Sequence, residues 1–154
     1  MFHVVLYEPE IPPNTGNAIR LCANVGATLH LVKPLGFRLD DRSLRRSGLD
    51  YHDLADVRVH DTLDDCLGQL PAARIFPVET GGARCYADLE CRAGDAFLFG
   101  PETRGLPTAV RERFGAGNSL FIPMKSGSRS LNLSNAVALV VFDAWRQLRF
   151  AGRA

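Results

Sequence analysis

The stretch SRSLNLSNAVALVVFDAWRQL, residues 128–148, changes character halfway along its length. Its first half is serine, arginine and asparagine, and its second half contains an unbroken apolar run from Ala136 to Phe142. That run covers about two turns of a helix without a polar face, whereas a surface helix carries an apolar stripe. We therefore expect this helix to be buried on two sides, against the sheet and against a second subunit. The alternative is a central helix wrapped by its own chain.

Small polar side chains stand directly before this apolar run, namely Ser130, Asn132, Ser134 and Asn135. The start of a helix uses one or two such side chains to cap its unpaired backbone N–H groups. The others would lie beside a buried interface, where polar groups need hydrogen-bond partners. We expect a ligand and the adjoining subunit to provide those partners.

Upstream of this segment, short apolar runs alternate with amphipathic ones. Apolar residues at helical spacing follow Pro12, and Gly26 is a stop signal for that helix. The pattern predicts strands over residues 2–7, 28–32, 57–60, 74–78, 96–100 and 119–122. It predicts further helices over residues 40–47, 62–70, 107–114 and 131–150. This alternation is typical of an α/β fold with a mostly parallel sheet, here in a single domain over residues 1–154.

Loops rich in glycine, proline, serine and asparagine follow several of the predicted strands. They are EPEIPPNTGN (residues 8–17), ETGG (79–82), GPETRGLP (100–107) and PMKSGSRSLNLSN (123–135). Such loops let backbone groups face a ligand, and parallel α/β sheets bind ligands beyond the carboxyl ends of their strands. We therefore expect a binding crevice at this edge. No loop matches GxGxxG or GxxxxGK[ST], which disfavours a Rossmann dinucleotide site and a P-loop.

The composition argues against several classes of protein. No segment approaches the ~20 apolar residues of a membrane-spanning helix, and the N-terminus MFHVVLYEPE lacks the pattern of a secretory signal. The four cysteines form no CxxC pair and no Cys/His cluster with zinc spacing. We therefore expect reduced thiols in a cytoplasmic protein without a metal. The formal net charge of +1 does not by itself indicate a nucleic-acid partner, although arginines cluster locally.

Segments from both ends of the chain resemble the signature motifs of the SPOUT superfamily of RNA methyltransferases. They are NTGNAIRLCANVGATLHLVKPLGF (residues 14–37), LFGPETRGLP (98–107) and IPMKSGSRSLNLSNAVALVVFDAWRQ (122–147). With VVLYEPEIPPNTGNAIRLCAN (4–24) and RRSGLDYHDL (45–54), they are most similar to the tRNA 2′-O-methyltransferases of the wobble cytidine or uridine. This resemblance implies S-adenosylmethionine as methyl donor, tRNA as substrate, a homodimer, and a deep trefoil knot in the C-terminal part.

Carried over by position, the resemblance assigns the cofactor to the last strands and the loops that follow them. The residues expected to bind it are Val78, Leu98, Gly100, Glu102, Gly105, Ile122, Met124, Ser130, Leu131 and Asn135. Apolar side chains at strand ends can sandwich an adenine ring, and Gly100 permits close approach of the backbone. Two roles stay open for Glu102: contact with the methionine amine, or holding its loop by accepting backbone N–H bonds.

The resemblance also assigns Arg20 as the catalytic residue, and Asn14 and Ser130 are further candidates for the catalytic site. Because a guanidinium stays protonated in proteins, we expect Arg20 to grip a substrate phosphate and orient the hydroxyl, not to act as a base. Asn14 contacts the hydroxyl, fixes its loop or caps the helix. A group of cations is expected to hold the tRNA: Arg42, Arg45, Arg46, Lys125 and Arg129.

Two other functions remain open at this point. One is a ribosomal-RNA 2′-O-methyltransferase of the same superfamily, although those enzymes usually carry an extra RNA-binding domain. The other is a non-catalytic RNA-binding module on the same fold, against which the intact Arg20, Glu102 and Ser130 argue. Phe142 is a departure, because close relatives often have tyrosine at this position.

Overall fold

The computed structural model describes residues 1–40, 56–70 and 72–154. Its strands in chain order are β1 (His3–Tyr7), β2 (Thr28–Val32), β3 (Val57–His60), β4 (Ile75–Val78), β5 (Arg84–Cys85), β6 (Ala96–Phe99) and β7 (Leu120–Phe121). Its helices are α1 (Pro12–Val25), α2 (Leu63–Gly68), α3 (Thr108–Glu112) and α4 (Leu133–Gln147). The predicted basic helix over residues 40–47 falls almost entirely outside the described residues.

The strands form one seven-stranded sheet in the order β3-β2-β1-β6-β4-β7-β5. Each pairing in it is parallel, so the α/β prediction is confirmed, and the described sheet is parallel throughout. Strand β7 lies between β4 and β5, although it follows both of them in the sequence. The carboxyl ends of the strands therefore meet at one edge, where the unusual loops come together.

Helices α1 and α4 cover one face of the sheet and pack against each other. In α1 the apolar positions of the predicted pattern are buried, among them Ala18, Ile19, Cys22 and Val25. Gly26 ends the helix as predicted, with φ of 71° in the left-handed region that glycine adopts without strain. The sequence signals at both ends of α1 therefore set its length.

Helix α4 begins later than predicted because Asn132 is its cap. The Asn132 Oδ1 accepts hydrogen bonds from the backbone N–H of Ser134 at 2.9 Å and of Asn135 at 3.4 Å. One side of the helix is buried as expected, but Leu139 and Phe142 on the other side are each 42% exposed. The described residues of its own chain therefore leave part of its apolar surface exposed to solvent.

The opposite face of the sheet is covered in part by α2. Thr62 caps this helix: its hydroxyl accepts the Asp65 backbone N–H at 3.1 Å, and the Asp65 carboxylate accepts the Thr62 backbone N–H at 3.1 Å. Helix α2 buries Leu63 and Cys66 in a second apolar cluster under the sheet. This cluster is separate from the core beneath α1 and α4.

Several predicted elements are shorter in the structure. The helix predicted over residues 107–114 is Thr108–Glu112, and the strand predicted over 119–122 is Leu120–Phe121. Strand β5 was not predicted, because its two residues carry no alternating apolar pattern. Within the described ranges, no helix has the length and apolar character needed to cross a bilayer.

Candidate active site

A cleft of about 650 Å³ opens at the carboxyl edge of the sheet. Its wall is built from the segments that follow β1, β4, β6 and β7, together with the first turn of α4. These are the loops whose composition predicted a crevice, and the crevice is present. Its volume is in the usual range for a small-molecule site.

The structure brings together most of the residues predicted to bind the cofactor. Those at the cleft wall are Val78, Gly100, Glu102, Gly105, Ile122, Met124, Ser130 and Leu131. The apolar ones come from strand ends or just beyond them, and the polar ones come from loops. The cleft therefore presents both apolar side chains and hydrogen-bonding groups to an occupant.

Two predicted cofactor residues are not at the cleft wall. Leu98 is fully buried in the apolar cluster of the opposite face, because successive strand residues point to opposite sides of a sheet. Its neighbour Phe99 lines the cleft in its place. Asn135 is exposed on the first turn of α4, where Leu133 and Ala136 are the helix residues that face the cleft.

Gly100 is required by the packing of its own loop. A Cβ added at Gly100 would stand 2.4 Å from the backbone N of Leu106 and 2.5 Å from the carbonyl carbon of Gly105. The close backbone approach predicted at this glycine therefore occurs, but the loop over residues 101–106 is what approaches. The glycine sets the shape of the cleft wall before any ligand binds.

A hydrogen-bonded chain of Glu102, Asn14 and Asn132 ties three segments of the cleft together. The Glu102 carboxylate accepts the backbone N–H groups of Glu10 at 2.8 Å and Ile11 at 3.0 Å, and the Asn14 Nδ2 at 3.3 Å. The Asn14 Oδ1 accepts a bond from the Asn132 Nδ2 at 2.9 Å. Glu102 thus makes the loop-holding contacts that were one of its two predicted roles.

Asn14 is not the cap of α1. The cap position is Ile11, which has no side-chain cap bond, and Asn14 lies one turn inside the helix with its side chain buried. Its amide bonds to Glu102 and Asn132 match the prediction that Asn14 fixes its loop. The sequence predicts Asn132 as a helix cap or as a polar group that meets a ligand or second subunit, so its bond to Asn14 is a link that sequence reasoning missed.

Charged side chains hold the outer rim of the same loops. The Glu10 carboxylate accepts the Thr103 hydroxyl at 2.7 Å and its backbone N–H at 3.3 Å. These hydrogen bonds hold the pKa of Glu10 below its ordinary value, because they favour the charged form. Arg104 donates to Glu8 at 2.6 Å in a parallel contact. The loops after β1 and β6 are therefore joined twice, once through Glu102 and once through Glu8 and Glu10.

An ion pair at another part of the cleft wall escaped prediction. The Arg111 Nη1 donates to the Glu79 Oε2 at 3.0 Å, and the Arg111 Nη2 donates to the Thr108 hydroxyl at 2.9 Å. Both Glu79 and Arg111 line the cleft. Glu79 begins the ETGG loop singled out in the sequence, but nothing in the spacing indicated that Arg111 from α3 would reach it.

The predicted catalytic and substrate residues are distributed around this cleft. Asn14, Ser130 and Arg129 line it, whereas Arg20 is an exposed residue of α1 outside its wall. Lys125 is exposed in the loop after β7, also outside the wall. The remaining predicted substrate cations, Arg42, Arg45 and Arg46, lie outside the described residues.

Comparison with known proteins identifies the family. The model of the SpoU rRNA methylase family matches residues 1–142. A tRNA (cytidine(34)-2'-O)-methyltransferase from Burkholderia pseudomallei is 56% identical over 156 residues, which cover 100% of both chains. A solved structure described as giving structural insights into the 2-OH methylation of C/U34 on tRNA is 47% identical, with a TM-score of 0.91 and 97% of each chain covered.

A more distant structure shares the fold. The SpoU methyltransferase AviRb from Streptomyces viridochromogenes, solved in complex with the cofactor AdoMet, superposes with a TM-score of 0.84 at 24% identity. The match covers 98% of this chain but only 58% of AviRb. Since the family model, the full-length relative and the solved structures agree, the resemblance seen in the motifs is confirmed, and the chain belongs to the SpoU rRNA methylase family.

Proposed function

We propose that this protein transfers a methyl group from S-adenosylmethionine to the ribose 2′-hydroxyl of the wobble nucleotide, cytidine or uridine, in the anticodon loop of tRNA. The observation that carries the proposal is the 56% identity, over the whole of both chains, to a tRNA (cytidine(34)-2'-O)-methyltransferase. The cleft at the carboxyl edge of the sheet supports it, because the loops rich in glycine, proline, serine and asparagine meet there.

The cofactor occupies the cleft between the ends of β4, β6 and β7. Val78 and Ile122 supply apolar surface for the adenine ring, and the loops around Gly100 and Ser130 supply polar groups. AviRb, which has the same fold, was solved with AdoMet bound. The residue types of the cleft fit this molecule, since an aromatic base, a ribose and an amino acid need such a mixed lining.

The C-terminal part forms the deep trefoil knot of the SPOUT superfamily. The support for this is the position of β7 between β4 and β5, which precede it in the sequence. The chain that leads to β7 therefore has to pass back between β4 and β5, which come earlier in the sequence. We treat residues 1–154 as a single domain, because one continuous sheet runs through the described residues.

When bound, S-adenosylmethionine supplies a methyl group activated by a positively charged sulfur. The protein has to hold the ribose hydroxyl in line with that methyl, exclude water and accept or conduct the hydroxyl proton. Orientation of this kind contributes about 7–11 kcal/mol in well-aligned reactions. The rigid cleft wall fixed by Glu102, Asn14 and Asn132 fits a mechanism in which positioning dominates.

Arg20 orients the substrate from the exposed side of α1. Its guanidinium can bond a phosphate through two parallel N–H groups, whereas a lysine offers only a point charge. The phosphate or a water then accepts the hydroxyl proton. Arg20→Lys is expected to lower kcat at least 10-fold with little change in cofactor affinity, and near-normal turnover of this variant would refute orientation by the guanidinium fork.

The protein acts as a homodimer, and the partner subunit covers the exposed apolar side of α4. Leu139 and Phe142 on that side are each 42% exposed, which is unusual for large apolar residues of a helix centre. Phe142 contacts the Trp145 ring edge-on, with centroids 5.7 Å apart. The tyrosine that the resemblance implies at this position would add a hydroxyl, so any hydrogen bond through such a hydroxyl is absent from this protein.

The tRNA is held through its phosphates by cations of the dimer. Arg129 at the cleft and Lys125 nearby are the described members of the predicted set. Anticodon bases are accessible because they are single-stranded and can stack on side chains. Affinity for tRNA is expected to fall steeply with salt. The four cysteines are free thiols, which fits a protein of the reducing cytoplasm.

The decisive experiment is methyl transfer from labelled S-adenosylmethionine to purified total tRNA and, in parallel, to ribosomal RNA. We expect label only in tRNA, and nuclease mapping should place it on the ribose of the wobble nucleotide. Label in ribosomal RNA alone would favour the alternative function, a ribosomal-RNA methyltransferase, which is the activity in the name of the family. Binding of tRNA without transfer would favour a non-catalytic module.

A further inference from the structure

A buried cluster of His30, His60 and Cys66 lies away from the cleft, and the proposed reaction does not use it. One potential ligand atom from each residue lies within 4.8 Å of the other two. The side chains are buried, with 0%, 4% and 0% of their residues' surfaces exposed. Within the described ranges, no other group of histidine, cysteine and acidic side chains converges in this way. We propose that this cluster is a binding site for a zinc ion.

The topology explains why three residues distant in sequence meet. Strands β2 and β3 are neighbours, and His30 pairs with Arg58, so His60 projects from the same face two positions farther along. Helix α2 follows β3 directly and lays Cys66 over that face. The separation of these residues along the chain matches no zinc motif, so sequence spacing did not reveal them.

The ligand chemistry is that of a borderline-soft divalent ion. One thiolate and two imidazoles are typical zinc ligands, and hard ions such as Mg²⁺ prefer oxygen. The His30 Nδ1 and the His60 Nε2 are 2.9 Å apart. Two nitrogen ligands of a tetrahedral zinc ion stand about 3.3 Å apart, so these rings need to separate only slightly. Cys66 supplies the third ligand, and a water supplies the fourth.

A neighbouring histidine holds the His30 ring in place for metal binding. The other nitrogen of His30, Nε2, is 3.1 Å from the His3 Nδ1. A zinc-bound histidine characteristically donates its second N–H to such an outer partner, which fixes the ring and its tautomer. The neutral imidazole is the form that binds metals.

The protons displaced when zinc binds can be counted from the three ligands. The Cys66 thiol loses its proton to solvent as sulfur coordinates the ion. The proton shared between His30 and His60 moves to the nitrogen of its ring that does not bind the ion. One proton is therefore released for each ion bound, and the hydrogen bond between the two rings is replaced by coordination.

Cobalt replacement tests the proposal on the untagged full-length protein after treatment with a chelator. One equivalent of Co²⁺ is expected to give a thiolate-to-cobalt charge-transfer band in the near ultraviolet, which one equivalent of Zn²⁺ abolishes. The band should be lost in Cys66→Ser. It should persist in Cys91→Ser, a matched control because Cys91 is another buried free thiol.

Thermal denaturation provides a second measurement, which can be made on the wild-type protein alone. Zinc in excess is expected to raise the unfolding midpoint of the wild-type protein, because the unfolded chain lacks the preformed site. His60→Gln, which keeps a hydrogen-bonding group, should lose this shift. A folded wild-type protein that gives neither the cobalt band nor the zinc-induced shift would overturn the proposal, as would a band retained in Cys66→Ser.

Discussion

Asn132 donates its Nδ2–H to the Asn14 Oδ1 at 2.9 Å and thereby joins the cap of α4 to the first turns of α1. The direction of each amide in this chain follows from Glu102. A carboxylate only accepts, so Asn14 must turn its Nδ2 toward Glu102 and its Oδ1 toward Asn132. Asn132 must then turn its Oδ1 toward the N-terminus of α4. One acidic side chain thus sets the orientation of both amides.

Asn132→Asp separates the two tasks of this residue. Aspartate keeps the cap of α4, since its carboxylate accepts the same N–H groups, but it cannot donate to Asn14. Two carboxylates then compete for one amide. We expect cofactor affinity to fall about 10-fold, in line with the ~1–2 kcal/mol that the loss of a part-buried hydrogen bond costs. Calorimetric titration with S-adenosylhomocysteine measures the affinity.

Asn132→Ala is the comparison variant for this prediction. It removes the cap as well as the donor, so it should also lower the free energy of unfolding by about 1 kcal/mol. Chemical denaturation measures that difference. If Asn132→Asp binds the cofactor as tightly as the wild-type protein, the amide chain does not shape the cleft.

Gly100→Ala is expected to displace the loop over residues 101–106. The added Cβ would meet backbone atoms of Gly105 and Leu106 at 2.4–3.0 Å, and backbone cannot move aside as a flexible side chain can. We expect a loss of about 1–3 kcal/mol in stability and a large loss of cofactor affinity. Denaturation and calorimetry measure the two effects.

Gly81→Ala is the matched control for the Gly100 variant. Gly81 also lines the cleft, but a Cβ added there has nothing within 4 Å. Its stability should therefore stay within about 0.5 kcal/mol of the wild-type value, as for most open surface positions. Equal damage from both variants would show that any side chain on the wall is harmful, and the packing argument for Gly100 would fail.

The main elements could be predicted because their signals are local. Apolar runs placed the central strands, and Gly26 marked the end of α1. The side to which each strand residue points could not be read in β6, because Ala96–Phe99 is buried on both faces and every residue is apolar. Leu98 was assigned to the cofactor by its position in the family motif, and its side chain lies on the face of the sheet opposite the cleft.

The site could be predicted only as a set of loops. The bond between Asn14 and Glu102 joins residues 88 positions apart, and the ion pair of Glu79 with Arg111 joins residues 32 apart. Long-range pairs of this kind leave no periodic trace in one sequence. The motifs of the SPOUT superfamily located Glu102 and Asn14, whereas Glu79 and Arg111 lie outside the residues that the resemblance named.

Alkylation of the native protein at neutral pH is expected to modify Cys85 first. All four cysteines fall within the described residues, and Cys85 is the one that is partly exposed. Burial raises the pKa of Cys22 to about 12 and the pKa values of Cys66 and Cys91 to about 11. Since the thiolate is the reactive form, those thiols stay protonated and unreactive until the pH approaches these values or the protein unfolds.

Peptide mapping after brief exposure to iodoacetamide measures the order of modification. Cys85→Ser should remove nearly all rapid labelling of the native protein, whereas denaturant should make the three remaining cysteines react. Rapid labelling of Cys22 in the folded wild-type protein would contradict the burial of that side of α1 against α4 and the sheet.

Leu139→Asp is expected to convert the proposed dimer into a monomer. The substitution places a charge in the centre of the exposed apolar side of α4, where a partner subunit would have to desolvate it at a cost of several kcal/mol. Leu39→Asp is the control, because Leu39 is 45% exposed but lies outside α4. Light scattering coupled to size-exclusion chromatography gives the mass of each variant, and circular dichroism verifies that Leu139→Asp retains its helices. Because cations of the dimer are proposed to hold the tRNA, methyl transfer should fall in parallel with the dimer fraction. A folded Leu139→Asp protein that remains dimeric would show that the subunits meet at another surface.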